Sequence, residues 1–541
     1  MDFAGAAAPI FTNLVDFTVL GILILELISG IRKAPFKTIY LRRNAGSIMF
    51  SLIFIGLFCY SKYLTFHGWF TGTEESNFAV VAVRNFFLIL KVFSRYRRIN
   101  TILENLHIHP ALTITLSFLM VILAGTWLLM MPFTAQAGHG LPFINALFTA
   151  TSAVCVTGLI VVDTAVYFSI WGKIVIMLLI QIGGLGIMVL SYFTLFVLRR
   201  KVSVEQKSLV SYMLSEEDMN NLAGILKSIV GITFLIEGMG AFILTLGFRN
   251  LPDWPHRIFY GVFHAVSAFC NAGFALFSDS LEGFAGQPLI ILTVSMLIIF
   301  GGLSFGVFTN LRDAVRGKAR ISLNTRLVLS STALLLLLGM AAVYPLEHVR
   351  TMKGMSLGKQ YLGAFFQSVT LRTAGFNSIS FSNLATSTLV IMMVFMFIGG
   401  ASGSTAGGIK VNTARVLLAS IRSAWKGEEK VIIHSMRVAE EKVNRAFLIL
   451  LLGLATVLTT TFCLSITENL PLRDIMFESV SAFGTVGLST GITGSLSIFG
   501  KTVIVFSMFI GRLGPLTLLT AASTEQKKIS INYPQANIAV G

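Results

Sequence analysis

The sequence predicts an all-α polytopic membrane fold, built from four similar helix–loop–helix units in a pseudo-fourfold arrangement and preceded by extra N-terminal helices. Three observations predict it. Of 541 residues, 55% are hydrophobic and only 12% charged, and the mean hydropathy is +0.80, whereas ordinary soluble domains carry about 25% charged residues. Apolar runs of roughly 20 residues, enough to cross a ~30 Å hydrocarbon core as helix, recur along the whole length. A short glycine-containing turn also returns four times at regular intervals. A soluble protein is excluded.

Taken in order, the apolar segments fall near residues 14–31, 46–66, 78–94, 110–131, 170–198, 222–247, 287–311, 326–345, 385–416, 446–466 and 498–522. The N-terminal stretch MDFAGAAAPIF has no basic region before its apolar run, so the first segment reads as a retained helix and not as a cleavable signal peptide. The net charge of +16 is a matter of topology before it is a matter of nucleic acid, and no nucleic-acid partner is expected. Arg32, Lys33, Lys37, Arg42 and Arg43, then Arg95, Arg97 and Arg98, then Arg199, Arg200 and Lys201, then Arg312, Arg316, Lys318 and Arg320, and the stretch from Lys410 to Arg445 occupy alternate connections, while 67–77 and 132–169 hold no Lys or Arg. This places the N-terminus outside and the C-terminus in the cytoplasm of a multi-pass protein of the cell membrane. Arg249, Arg257, Arg350, Lys353, Lys359, Arg372 and Arg473 dilute the pattern in the later outer connections without reversing it. Cys59, Cys155, Cys270 and Cys463 lie in apolar or small-residue segments with no CxxC spacing, so neither a disulfide framework nor a metal centre is indicated.

After residue 109 one unit recurs: an apolar helix, a shorter semi-polar segment, a glycine turn and a second apolar helix. The turns are Ser152-Ala-Val-Cys-Val156-Thr157-Gly158-Leu159, Ser267-Ala-Phe-Cys-Asn271-Ala272-Gly273-Phe274, Val369-Thr-Leu-Arg-Thr373-Ala374-Gly375-Phe376 and Ser481-Ala-Phe-Gly-Thr485-Val486-Gly487-Leu488. Their glycines are 115, 102 and 112 residues apart, and each lies between an outward-going and an inward-going span. Non-helical backbone at membrane depth is tolerated only where protein or a watery cavity surrounds it, a condition that four re-entrant loops converging on one axis would satisfy. The units then become helix–pore-loop–helix repeats around one pore. Their carbonyl oxygens can replace part of a cation's hydration shell, and the short helices direct their negative C-terminal ends toward the cavity below. Thr, Ala, Asn and Val keep the lining uncharged, which favours a monovalent cation over calcium. A single such glycine reads equally well as a close-packing site between helices; four in step with the span repeat favour the filter.

These motifs, with Phe148-Thr149-Ala150-Thr151 before the first turn and Gly399-Gly400-Ala401-Ser402-Gly403-Ser404-Thr405-Ala406-Gly407-Gly408-Ile409-Lys410 after the third, resemble the Trk/Ktr/HKT potassium-transporter superfamily, and among its members the KtrB-type membrane subunit, over residues 105–541. The resemblance implies potassium uptake through the pore subunit of a Trk/Ktr-type system, no enzymatic activity, and dimerisation of pore subunits. It also implies a separate cytosolic RCK-type ring, KtrA- or TrkA-like, whose ATP/ADP or NAD(H) binds to the partner and not to this chain. Glycine at all four filter positions accompanies potassium permeation in that family and serine at the first accompanies sodium, so Gly158, Gly273, Gly375 and Gly487 imply potassium, with sodium as the other candidate permeant ion. The domain organisation follows: an extension with about three membrane segments at 1–105, then repeats at 106–215, 216–322, 323–440 and 441–541.

Five glycines and three hydroxyl residues at 399–408 are too many helix-weakening residues for a continuous helix, so the span 385–416 is expected to be interrupted. The resemblance makes Gly399, Gly400, Ser402, Gly403, Ser404, Thr405, Gly407, Gly408 and Lys410 an intramembrane gating loop. A phosphate-binding loop is the competing reading, but Ile409-Lys410-Val411 breaks the GxxxxGK[ST] order. Arg512 lies inside the last span, where an unpartnered charge costs ~2.5–3.5 kcal/mol; the resemblance has it hold the gating loop through carbonyls, and snorkelling to the inner surface is the alternative. Gly183-Gly184-Leu185-Gly186 reads as helix packing and Glu237 as a buried or water-exposed acid. Arg372 would repel cations if it faced the pore, so it is expected to turn away, toward an acid such as Glu478.

Lys91, Arg95 and Arg98 have the i, i+4, i+7 spacing of a voltage sensor, but Arg97 beside them favours an inner-surface anchor. The basic stretch from Lys426 to Lys442 suits membrane lipids or the regulatory ring, and the tail Tyr533–Gly541 resembles the family segment at the subunit interface. A sodium-coupled secondary transporter is the alternative function. It would normally carry inverted repeats and intramembrane acids, whereas these repeats run in one direction. A membrane enzyme has no support, since His264 and His434 stand alone.

Overall fold

The computed structural model describes residues 110–138, 140–186, 222–381, 384–428 and 430–522. The chain divides into units at 1–107 and 108–541, and all described residues belong to the second. The first three apolar segments, the Lys91–Arg98 cluster and the C-terminal tail lie outside them.

The first repeat runs from α1 (Pro110–Leu129) through α2 (Phe143–Val154) to α3 (Ile170–Leu185). The second comprises α4 (Leu222–Gly247), α5 (Trp254–Phe269), α6 (Pro288–Gly302) and α7 (Phe305–Val315). Next come α8 (Leu323–Glu347), α9 (Leu357–Thr370), α10 (Thr386–Phe397) and α11 (Val411–Trp425), and the fourth repeat has α12 (Glu440–Thr467), α13 (Leu472–Gly484), α14 (Ile498–Leu513) and α15 (Pro515–Ala522). At 1.5 Å per residue, α1 with 20 residues spans ~30 Å. The second helices α2, α5, α9 and α13 have 12, 16, 14 and 13 residues and fall short of a crossing.

Packing closes the four repeats into a ring. The inner helix of each repeat lies against the short helix of the next: α3 on α5, α6 on α9, α10 on α13, and α14 back on α2. Close approach is bought by small residues. Within repeats one, two and four, the C-terminal carbonyl of the short helix sits against a glycine of its own inner helix: Val154 O on Gly183, Phe269 O on Gly301 and Phe483 O on Gly511. The glutamate at the end of the outer helix caps the inner helix in two repeats. Glu347 accepts from Ala385 N at 3.1 Å and Thr388 Oγ1 at 2.5 Å, and Glu468 accepts from Ser497 N at 3.2 Å, satisfying N-terminal amides that lack an intrahelical partner.

Three of the expected spans are interrupted. The segment 287–311 bends by 95° between α6 and α7, where Ser304 in extended conformation caps α7 through Gly306 N. The segment 385–416 stops at Phe397 and resumes at Val411, in keeping with its glycine content. The segment 498–522 breaks at Gly514, whose φ is +86°, ahead of Pro515, which suits the first position of α15. Among the described residues the only strands form a hairpin between α11 and α12, Ile432–Ile433 paired with Met436–Arg437, turned by His434 and Ser435 at φ +47° and +63°.

Candidate functional site

The four glycine turns share one backbone. Gly158, Gly273, Gly375 and Gly487 have φ of +93°, +70°, +77° and +88°, and the residue two places earlier is left-handed each time: Val156 at +57°, Asn271 at +60°, Thr373 at +64° and Thr485 at +49°. A left-handed non-glycine residue costs ~1–2 kcal/mol, and hydrogen bonds from the end of the short helix hold it there. Thr157 N, Ala272 N, Ala374 N and Val486 N donate to Ser152 O, Ser267 O, Thr370 O and Ser481 O at 2.8, 2.7, 3.0 and 2.8 Å. The hydroxyls of those same four residues complete each turn. Ser152 Oγ and Ser481 Oγ accept from Gly158 N and Gly487 N at 3.0 and 3.1 Å, while Ser267 Oγ and Thr370 Oγ1 donate to Phe274 O and Phe376 O at 2.7 Å.

The turns meet in chain order around a ring. A methyl group on Gly158 would strike Ala272 O, one on Gly273 would lie 2.8 Å from Ala374 O, one on Gly375 2.6 Å from Val486 O, and one on Gly487 would strike Thr157 O. Each glycine therefore faces the carbonyl that precedes the glycine of the next turn, and the last faces the first. Val156, Thr157, Asn271, Ala272, Thr373, Ala374, Thr485 and Val486 are all buried. Asn271 Nδ2 donates to Arg372 O at 3.3 Å and links the second and third turns.

The segment 398–410 lies against the ends of the short helices. Gly399 N donates to Ile409 O at 2.8 Å and Ile409 N to Phe397 O at 3.3 Å, so the two ends of the loop pair with each other. Thr405 Oγ1 points its one proton between Gly301 O at 2.8 Å and Phe269 O at 3.2 Å, and Ala401 N donates to Gly302 O at 3.0 Å. Gly407 packs on the Thr485 side chain, Gly408 on Gly484 and Gly399 on Thr373 Cγ2. Gly400 O accepts from Val411 N and Gly403 O from Phe305 N. Ser404 Oγ donates to Ala401 O at 2.7 Å, and Lys410 Nζ turns back to Ala406 O at 2.5 Å. Ser402 lines, with Ser404, Lys410 and Arg512, a cavity of about 390 Å³ to which none of the four glycine turns contributes a residue.

Arg512 binds across the molecule: its guanidinium donates to Thr405 O of the loop and to Gly183 O and Gly184 O. Those two carbonyls close α3, whose last turn leaves carbonyls without helical partners at the negative end of its dipole. The packing motif Gly183-Gly184 is thus also an acceptor for the buried charge, a role the residue types alone did not reveal. The loop touches the second, third and fourth repeats directly and reaches the first through Arg512.

The expected Arg372–Glu478 pair does not form. Arg372 is buried, with Nε and Nη2 unbonded, and its Nη2 lies near Gly302, at the C-terminal end of α6. Glu478 accepts instead from Ser489 Oγ at 2.8 Å and from Thr493 Oγ1. Hydroxyls from its own repeat are nearer neighbours than a cation one repeat away, and the helix end receives the arginine. Glu237 is buried with Cys270 Sγ 3.9 Å from its carboxylate. No cluster of His, Cys, Asp or Glu suited to a metal ion occurs among the described residues.

Comparison with known proteins agrees with this architecture. Residues 79–531 match the TrkH family, described as cation transport protein. The chain is 40% identical over 433 residues to the Ktr system potassium uptake protein B of Vibrio alginolyticus, covering 79% of this chain and 94% of that protein. It is 37% identical to the potassium/sodium uptake protein NtpJ of Enterococcus hirae, covering 80% of this chain and 97% of that one. The crystal structure of the potassium transporter TrkH from Vibrio parahaemolyticus superposes with a TM-score of 0.66 at 16% identity, covering 87% of this chain and 97% of that one, and so shares its fold. The ring of four repeats and the extent of these matches lead to one conclusion: the chain belongs to the TrkH family of cation transport proteins, multi-pass membrane proteins and not enzymes.

Proposed function

We propose that this protein is the ion-translocating pore subunit of a Trk/Ktr-type potassium uptake system. The four turns form its selectivity filter, and the loop 399–408 with Lys410 and Arg512 forms its gate. The observation that carries the reading is the cyclic contact of the four glycines with their neighbours' carbonyls, because a ring of backbone oxygens is what strips and replaces the hydration shell of a monovalent cation. The gate is drawn closed, with Thr405 seated under the ends of the short helices and Arg512 of the fourth repeat bracing it against the first. The N-terminus then lies outside and the C-terminus in the cytoplasm. Two pore subunits pair, and a cytosolic RCK-type ring that binds ATP/ADP or NAD(H) acts on the loop from below. The named activities of the two curated relatives, potassium uptake and potassium/sodium uptake, support potassium as cargo and keep sodium as the competitor. Same-direction repeats packed head to tail around an axis leave no inverted pair to rock against each other, which disfavours a sodium-coupled alternating-access transporter.

Potassium and sodium uptake into liposomes carrying the purified protein tests this reading, with Gly158→Ser and a deletion of residues 401–407 in parallel. Potassium-selective flux that the serine shifts toward sodium and the deletion accelerates is the expected result. Flux indifferent to both changes overturns the reading and leaves the turns as packing sites.

A further inference from the structure

The short helices carry a second recurring feature outside the filter turns. His264 and Glu478 each stand nine residues before the glycine of their turn, and Gln367 stands eight before Gly375. The one-residue difference is general to the third turn, where the hydroxyl of Thr370 stands five residues before the glycine and those of Ser152, Ser267 and Ser481 stand six. The three side chains are therefore structurally equivalent, and all three are fully buried.

Each reaches past its turn to the chain leaving the filter. His264 Nε2 accepts from Leu276 N at 3.2 Å. An amide can only donate, so Nδ1 carries the ring proton and donates to Tyr260 O at 2.8 Å. The ring also stacks on Phe277 with centroids 5.1 Å apart. Gln367 Nε2 donates to Ser378 Oγ at 3.2 Å. Glu478 accepts from Ser489 Oγ at 2.8 Å and from Thr493 Oγ1. Leu276 and Ser378 lie three residues beyond their glycines and Ser489 two beyond. In the first repeat the equivalent residue is Thr149, whose hydroxyl returns to Asn145 O of its own helix at 2.8 Å and holds nothing beyond the turn.

We propose that His264, Gln367 and Glu478 are positioning residues that set the cation selectivity of the filter by tying the outgoing chain of three turns to the short helices, with the first turn left untied. The proposal rests on the filter reading above. Each turn is a short non-helical strand with a left-handed residue at its base. The serine and threonine hydroxyls hold the glycine or the residue after it, and these three side chains hold the chain two or three residues beyond the glycine. Where a filter discriminates by the spacing of its carbonyls, these must keep their separation to about 0.5 Å, and a chain held at fewer points yields more readily to the contraction that a smaller ion induces. The three residues use different chemistry for one task, an imidazole acceptor, an amide donor and a carboxylate acceptor, which is why no common motif marks them.

The test measures the potassium-to-sodium uptake ratio of Glu478→Leu, Glu478→Gln, Gln367→Leu and Thr149→Val in proteoliposomes, with Gly375→Ser as the filter control. The leucine variants are expected to lower the ratio about tenfold, the value of one buried hydrogen bond, at unchanged thermal melting and elution volume. Glu478→Gln keeps an acceptor for Ser489 and is expected to stay within about threefold of wild type, and Thr149→Val to leave the ratio unchanged. Should a leucine variant fail to fold, Ser489→Ala removes the same bond from its other end and must lower the ratio likewise. Folded leucine or Ser489→Ala variants with the wild-type ratio overturn the proposal, as does a Glu478→Gln defect equal to that of leucine. If Gly375→Ser also leaves the ratio unaltered, it is the filter reading that fails.

Discussion

The four glycine turns and the inner helices that follow them obey opposite rules. Four turns with different sequences adopt one backbone, down to a left-handed residue two places before each glycine, whereas the four inner segments each end differently. The first stops at Leu185 after a glycine pair, the second bends by 95°, the third gives way to the loop, and the fourth carries Arg512 up to Gly514. The third is also the repeat in which no inner-helix glycine receives the short helix, since α10 contains none. On the proposed function, a cation on the axis would see all four turns at once, so selectivity would reward equivalence, whereas a plug would have to come from one side, from the repeat that loses its helix at that depth.

Breaking the symmetric half is expected to have the largest effect. Gly487→Ala puts a methyl group against Thr157 O and forces alanine to φ +88°; potassium uptake is expected to fall by more than about tenfold, as is that of Gly273→Ala across the ring. A variant that transports normally would show that the four positions are not equivalent. Loosening the asymmetric half comes next. Arg512→Ala removes the bonds to Thr405, Gly183 and Gly184, and potassium flux is expected to rise several-fold at an unchanged potassium-to-sodium ratio; a shift in the ratio would mean that loop and filter are one device. Smallest is Thr405→Val, which keeps the shape of the side chain but loses its one hydroxyl proton, shared between Gly301 O and the more distant Phe269 O. At ~1 kcal/mol for that hydrogen bond, flux should rise less than in Arg512→Ala, and single-turnover uptake from stopped-flow would rank the two.

Much of the fold was legible because a bilayer leaves few choices: apolar runs long enough to cross must be helices, and glycine repeats at fixed spacing mark where they cannot be. The interruption of 385–416 could be read from its glycines, while the bend between Gly302 and Phe305 could not, because two glycines and a serine occur in many unbroken membrane helices. Loop carbonyls were expected as acceptors for Arg512, but those of α3 escaped notice for a related reason. Backbone carbonyls have no residue type, and only the end of α3 exposes those of Gly183 and Gly184. The pairing of Arg372 with Glu478 went astray because charge alone was used to choose the partner, when Ser489 and Thr493 of the same repeat stand closer to the acid. His264 looked solitary because its partner is the amide of Leu276.

The sequence by itself determined that this protein crosses a membrane many times, that it is built of four like units, and that each unit carries a turn requiring glycine. Those properties are encoded in hydropathy and in backbone conformations that few residues can adopt. Which carbonyl each glycine faces, where the loop after α10 comes to rest, and what receives the charges of Arg512 and Arg372 were decided by the tertiary structure alone. Contacts between backbone atoms of segments a hundred residues apart have no local signature, and they exist only once the ring has closed.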